Sequence, residues 1–313
     1  MAPLGFFAIA WATRRFFRGA EGSGIPQTIF ALRTDSGEAG LRLLKVHVVL
    51  GRIFLAAAFN TPLAGVVFAI EELSKSFEER ASGTALTTVI LAGVVAIALV
   101  GNYTYFGQPV VTAAVPAFAP ITWCIAITSG ISGGMFSRVT LASVSRLTGC
   151  LGRLRRRFPA LFAGLCGLAV AATGSLSGGL TYGSGYRQAR SVLEAHVHLP
   201  WLYAPARALA ILLSYLSGIP AGILAPSLSA GAGIGQSTAD FFGYAPVPFA
   251  ILGMCGYLAG VTQAPLTALV IVTEMTSQHA MVLPLMITAA VATAVSRLLS
   301  PPLYQTLARH YAE

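Results

Sequence analysis

The chain has 313 residues, 55% of them apolar and only 10% charged, with a mean hydropathy of +0.73. A soluble domain of this size needs more charged surface, so the implied solvent is lipid. The net charge of +9 invites nucleic acid as a partner, but its placement along the chain reads as membrane topology, and no nucleic-acid role is expected.

The opening "MAPLGFFAIAWATRRFFR" sets an apolar stretch before a basic cluster, the reverse of a signal peptide. It is too short to cross a bilayer and reads as the back half of a helix that ends in the cytoplasm at Arg14, Arg15 and Arg18. "GSGIPQ" follows at 22–27. Its glycines let backbone approach closely, Ser23 offers a hydroxyl donor, and Pro26 suits a helix start. The segment "VVLGRIFLAAAFNTPLAG" then leads straight to a helix opened by Pro62 and closed by Glu71 and Glu72.

A charge-free run covers 81–137 and contains "NYTYFGQPVV". After it, 138–157 holds six arginines and no acid. That asymmetry puts 138–157 in a cytoplasmic loop and 101–120 outside. Further charge-free runs occupy 158–186, 208–239, 241–273 and 275–296. The 33 glycines and 17 prolines recur within such runs, which suits broken, closely packed membrane helices. Cys124, Cys150, Cys166 and Cys255 lack metal or disulfide spacing and read as packing residues. His196 and His198 read as an interfacial loop, with no metal site expected.

Two phrases recur in order. "GSGIPQ" at 22–27 is matched by "GSGYRQ" at 183–188, and "TPLAGVVFAIEE" at 61–72 by "APLTALVIVTEM" at 264–275. In the second pair a glutamate stands nine positions after the helix-opening proline, Pro62 to Glu71 and Pro265 to Glu274. The flanking charges place the first Gly-Ser-Gly inside and the second outside, so the halves are inverted. Ser184 and Pro265 stand 81 positions apart but Ser23 and Pro62 only 39, which leaves the first half 42 positions short. The first half also has only 22 residues before Ser23.

Inverted repeats of broken helices place sites where half-helix N-termini converge, and such termini favour anions. "GSGIP" and "GIPAGILAP" at 218–226, with the amides of Gly222, Ile223 and Leu224, are the candidates; a packing turn is the other reading. Glu71 and Glu274 repeat and suggest a shared structural role. Glu72 has no counterpart, because Met275 takes its place, and is the candidate proton carrier.

The segments "GSGIP", "AAAFNTPLAGVVFAIEEL", "GIPAGILAPSLSAGAGIG", "QAPLTALVIVTEMT" and "PPLYQTLA" resemble, in order, the signatures of the CLC chloride channels and proton/chloride antiporters. The resemblance implies an all-α polytopic membrane fold, an inverted repeat of broken transmembrane helices, usually a homodimer with one pore per subunit. It implies a central anion site at Ser23 with Gly24 beside it, the amides of Ile223 and Leu224, and the hydroxyl of Tyr304. Leu224 replaces a common phenylalanine, which an amide contact tolerates. Glu72 matches the internal proton-transfer glutamate. The family's Gly-Arg-Glu-Gly-Pro segment, which carries the external gate, has no counterpart here. The division expected is 1–80 as an incomplete first repeat and 81–313 as the second, with no cytoplasmic regulatory domain.

The function implied is transport of chloride or a similar small anion, with protons as possible co-substrate, across the cell (inner) membrane, without cofactor or enzymatic activity. The alternative is a non-conducting, internally deleted remnant or a mispredicted gene product. A third reading, an intramembrane protease using Ser23 or Ser184, needs His47 or His279 as base, and proline-opened helices suit anion capture better.

Overall fold

The computed structural model describes residues 2–16, 22–27, 29, 61–68, 70–71, 95, 97–99, 101, 103–111, 115–146 and 149–310. Twelve α-helices are defined among them. They are α1 (Ala2–Phe16), α2 (Pro62–Phe68), α3 (Pro120–Arg146), α4 (Gly149–Arg157), α5 (Pro159–Leu176), α6 (Tyr186–Leu193), α7 (Tyr203–Leu216), α8 (Leu224–Phe242), α9 (Pro246–Thr262), α10 (Pro265–Thr276), α11 (Val282–Leu299) and α12 (Leu303–His310). Apart from one isolated bridge, the described residues contain no β-structure.

Proline sets many of the helix starts. α2, α3, α5, α9 and α10 each begin on one, where the missing N–H is one the helix could not have bonded. The long apolar runs are broken accordingly. The run 208–239 becomes α7 and α8, and 241–273 becomes α9 and most of α10. Pro159–Leu176 and His279–Leu299 are long and apolar enough to span a bilayer, and several other apolar helices are shorter.

The molecule is built around α9. Every residue from Val247 to Thr262 is buried, as a helix that is apolar all round requires. Helices α3, α8, α10 and α11 pack on it. Glycine makes this approach possible: a Cβ at Gly133 of α3 would lie 2.8 Å from the backbone of Gly260, and one at Gly253 would strike the Gly231 carbonyl of α8. Small residues at such crossings let backbones come into contact, the usual adhesive between helices in lipid.

The basic stretch 138–157 differs from the expected loop. α3 continues through Arg138 to Arg146, and α4 carries Arg153, Arg155, Arg156 and Arg157. Arginine is a good helix former, so the helix propagates past the end of its apolar face.

The repeated proline-to-glutamate helices meet. The Glu274 carboxylate accepts the N–H groups of Leu63 (3.1 Å) and Ala64 (2.7 Å). Glu71 accepts those of Leu266 (3.1 Å) and Thr267 (2.6 Å). Glu274, in the last turn of α10, caps the start of α2, and Glu71, just past α2, caps the start of α10. The two segments therefore run antiparallel, as inverted halves require. The 42-position shortfall lies between Gln27 and Thr61, outside the described residues apart from Ile29.

Candidate functional site

Ser23 stands in a turn joined to the approach to α8. Gly22 N–H donates to the Ile219 carbonyl at 3.2 Å, and Ala221 N–H donates to the Gly22 carbonyl at 3.0 Å. The turn needs its glycines: Gly22 and Gly24 have φ of 73° and 74°, a region other residues enter at a cost. Gly22 also lies under Tyr215, where an added Cβ would be 3.4 Å from the ring. The stitching sets Ser23 beside the residues that open α8.

At that opening the donors outnumber their acceptors. Among the described residues the Ser23 hydroxyl is buried without a hydrogen-bond partner. The N–H groups of Gly222 and Ile223 join no backbone hydrogen bond among the described residues. Leu224 is the first residue of α8, so its N–H is one that helix geometry leaves without an intrahelical acceptor. Ile223 and Leu224 are both buried. Buried donors without partners are costly, and a small anion would satisfy several at once, aided by the positive end of α8.

Tyr304 reaches the same region from the far end of the chain. Fully buried, it shares one apolar cluster with Ile223, and Ile25 packs against that cluster. Its position is fixed through Gln263, the left-handed residue (φ 55°) that closes α9. The Gln263 amide donates to the Ser300 carbonyl (2.8 Å) and the Ser296 hydroxyl (3.3 Å). This ties the α9–α10 corner to the elbow between α11 and α12, just ahead of Tyr304.

The structure thus gathers Ser23, Ile223 and Leu224 at one helix start and brings Tyr304 into the cluster beneath it. Gly24 is exposed and has open space where a Cβ would be; it serves the turn. Glu72 lies outside the described residues. Sequence reasoning missed Tyr257 of α9, which belongs to the same cluster, is 1% exposed and has a hydroxyl without a partner among the described residues. The sequence offers only a tyrosine within the apolar stretch "ILGMCGYLAGV", a pattern that by itself reads as core.

The second Gly-Ser-Gly has a different occupation. Its glycines repeat the backbone of the first, with φ of 69° at Gly183 and 84° at Gly185. Here the carbonyls turn inward, and the Arg207 guanidinium donates to Thr181 O (2.6 Å) and Gly183 O (2.8 Å). A Cβ at Gly185 would sit 2.8 Å from the Arg207 Nη2 and strike the Ser229 hydroxyl, which is itself bonded to Tyr203. The Ser184 hydroxyl accepts only the Tyr186 N–H, at 3.4 Å. His279 is exposed, and among the described residues no serine–histidine pair of the protease kind forms. His196 and His198 lie near Glu194 (3.8 Å) and Asp240 (3.4 Å) respectively.

These features define an all-α membrane protein whose inverted halves meet around an anion-complementary helix start. A model of the voltage gated chloride channel family matches residues 54–297. The H(+)/Cl(-) exchange transporter ClcA of Yersinia pestis bv. Antiqua (strain Angola) is 32% identical over 295 residues, covering 89% of this chain and 59% of that protein. The transporter of the same name from Klebsiella pneumoniae subsp. pneumoniae is 30% identical over 297 residues, with coverages of 88% and 60%. Among solved structures, a slow cyanobacterial Cl-/H+ antiporter superposes with a TM-score of 0.76 at 21% identity, over 99% of this chain and 85% of that one. A CLC-type fluoride/proton antiporter gives 0.71 at 22% identity, over 96% and 75%. The chain belongs to the voltage gated chloride channel family, and it spans about three fifths of the length of these curated relatives.

Proposed function

We propose that this chain conducts chloride or a similar small anion across the cell (inner) membrane, through a site formed by Ser23, the amides of Ile223 and Leu224, and Tyr304. The observation that carries the proposal is the set of buried donors without acceptors at the opening of α8, the Ser23 hydroxyl foremost. Glu72 is the proposed proton carrier, by its match to the family glutamate. With no Gly-Arg-Glu-Gly-Pro segment in the sequence, chloride moves without obligatory proton exchange. The halves are 1–80 and 81–313. Two copies associate through α2, α10 and the helices that follow them, where Leu63, Leu266, Leu283 and Met286 present exposed apolar side chains.

The test is chloride efflux from liposomes containing the purified chain, with internal pH followed in parallel. The expected result is efflux above protein-free liposomes, with no proton uptake driven by a chloride gradient. Efflux equal to that of protein-free liposomes would mark a non-conducting relative. Proton uptake against its own gradient would overturn the uncoupled reading and return Glu72 to a full exchange cycle.

A further inference from the structure

Arg207 is a buried cation without a counter-charge among the described residues. It is 2% exposed, and among the described residues no carboxylate pairs with it. A guanidinium has five N–H donors. Two of its nitrogens bond the Thr181 and Gly183 carbonyls, while its Nε–H is buried without a partner. Carbonyl dipoles offset part of the desolvation cost, but an ion held in the interior is stable only when its charge is met.

Arg207 also lines a cavity of about 480 Å³ that Ser184, Gly222 and Ile223 border at its polar side. The remaining wall is mainly hydrocarbon, with Phe6 from α1, Ile211 from α7 and Ile219 among its members. One charged group in a mainly apolar, partly open cleft is a composition that small-molecule sites share, and the volume falls in the usual range of roughly 300–1,000 Å³. A bare halide would satisfy the charge but leave the apolar wall facing a void or poorly bonded water. An anion with a hydrocarbon body meets both demands.

We propose that the Arg207 cavity is a second anion site, adjoining the Ser23–Tyr304 site at Gly222 and Ile223, which binds a monovalent organic anion with a short apolar tail, its carboxylate on the Arg207 guanidinium and its tail against Phe6, Ile211 and Ile219. The second Gly-Ser-Gly is the clamp that holds the guanidinium in place.

Octanoate is the probe. Its binding to the whole chain is measured by equilibrium dialysis in nanodiscs of uncharged phosphatidylcholine, with empty discs subtracted. Saturable one-to-one binding is expected, weakened at least tenfold by Arg207→Gln, unaffected by octylamine, and not displaced by an equal concentration of chloride. Ser214→Phe fills the cavity while leaving Arg207 and its clamp intact, so its tenfold loss is readable even if the arginine variant fails to fold. Absence of saturable binding, or full binding by both variants, overturns the proposal. So does displacement by equimolar chloride, which makes the site one for inorganic anions, or loss of octanoate binding in phosphatidylglycerol discs, which makes a lipid headgroup the occupant.

Discussion

Ser23 and Tyr257 represent two kinds of buried hydroxyl, and substitution distinguishes them from mere packing. A hydrogen bond to a charged partner contributes about 1.5–3 kcal/mol. Ser23→Ala should therefore weaken chloride binding at least about tenfold, read by isothermal titration, with the fold intact. Tyr257→Phe separates two roles in one experiment. A phenol that meets nothing is a burden on stability, so its removal raises the melting temperature or leaves it unchanged. If the phenol also donates to the anion, chloride affinity falls at the same time, and that paired outcome is expected here. A lower melting temperature with unaltered affinity would place the hydroxyl in the packing instead. At this scale the sequence marks part of the candidate site. Ser23, Ile223 and Leu224 were legible because glycine and proline mark where backbone amides are left open. Tyr257 was not, since a tyrosine in an apolar helix that also buries Phe249 is indistinguishable from core without knowing what surrounds its hydroxyl. Arg207 is hidden for a related reason: arginines report topology in clusters, and a single one beside an apolar run carries no topological weight.

Among the elements, the reciprocal caps between Glu71 and α10 and between Glu274 and α2 hold the halves together. Removing either carboxylate strands two N–H groups, each costing about 1–3 kcal/mol when left unsatisfied. Glu274→Ala should thus lower the melting temperature of the purified protein clearly, and Glu274→Gln, which keeps one acceptor oxygen, should lower it less. Because the two caps sit on adjoining helices, the Glu71→Ala and Glu274→Ala costs should not add; strict additivity would show that the caps act independently. The close crossing of α8 and α9 makes a sharper demand. In Gly253→Ala the new methyl meets the carbonyl of Gly231 and the backbone of Gly235, neither of which can rotate away. Overpacking of this kind costs about 1–3 kcal/mol, seen as a lower melting temperature in detergent. The proline-to-glutamate register was legible in the chain, and so was its repetition. The partner of each glutamate was not, because those bonds span 195 to 211 positions and only the folded pair defines them. The arginine-rich segment shows the converse limit: composition located it beside the membrane but could not decide between loop and helix.

The whole molecule joins an inverted pair of halves, a buried central helix and one helix start whose donors lack acceptors among the described residues. The two Gly-Ser-Gly turns share a backbone and differ in polarity, the first offering a hydroxyl beside open amides, the second offering carbonyls to Arg207. The same local geometry, turned over, presents donors in one half and holds a cation in the other. The most direct measurement is the anomalous signal of bromide in crystals of the whole chain grown or soaked in bromide salt. The account predicts a peak within hydrogen-bonding distance of the Ser23 hydroxyl, the Ile223 and Leu224 amides and the Tyr304 hydroxyl, and loss of that peak in Ser23→Ala. Well-ordered crystals with no bromide at the opening of α8, or with the peak unchanged in the variant, would contradict it.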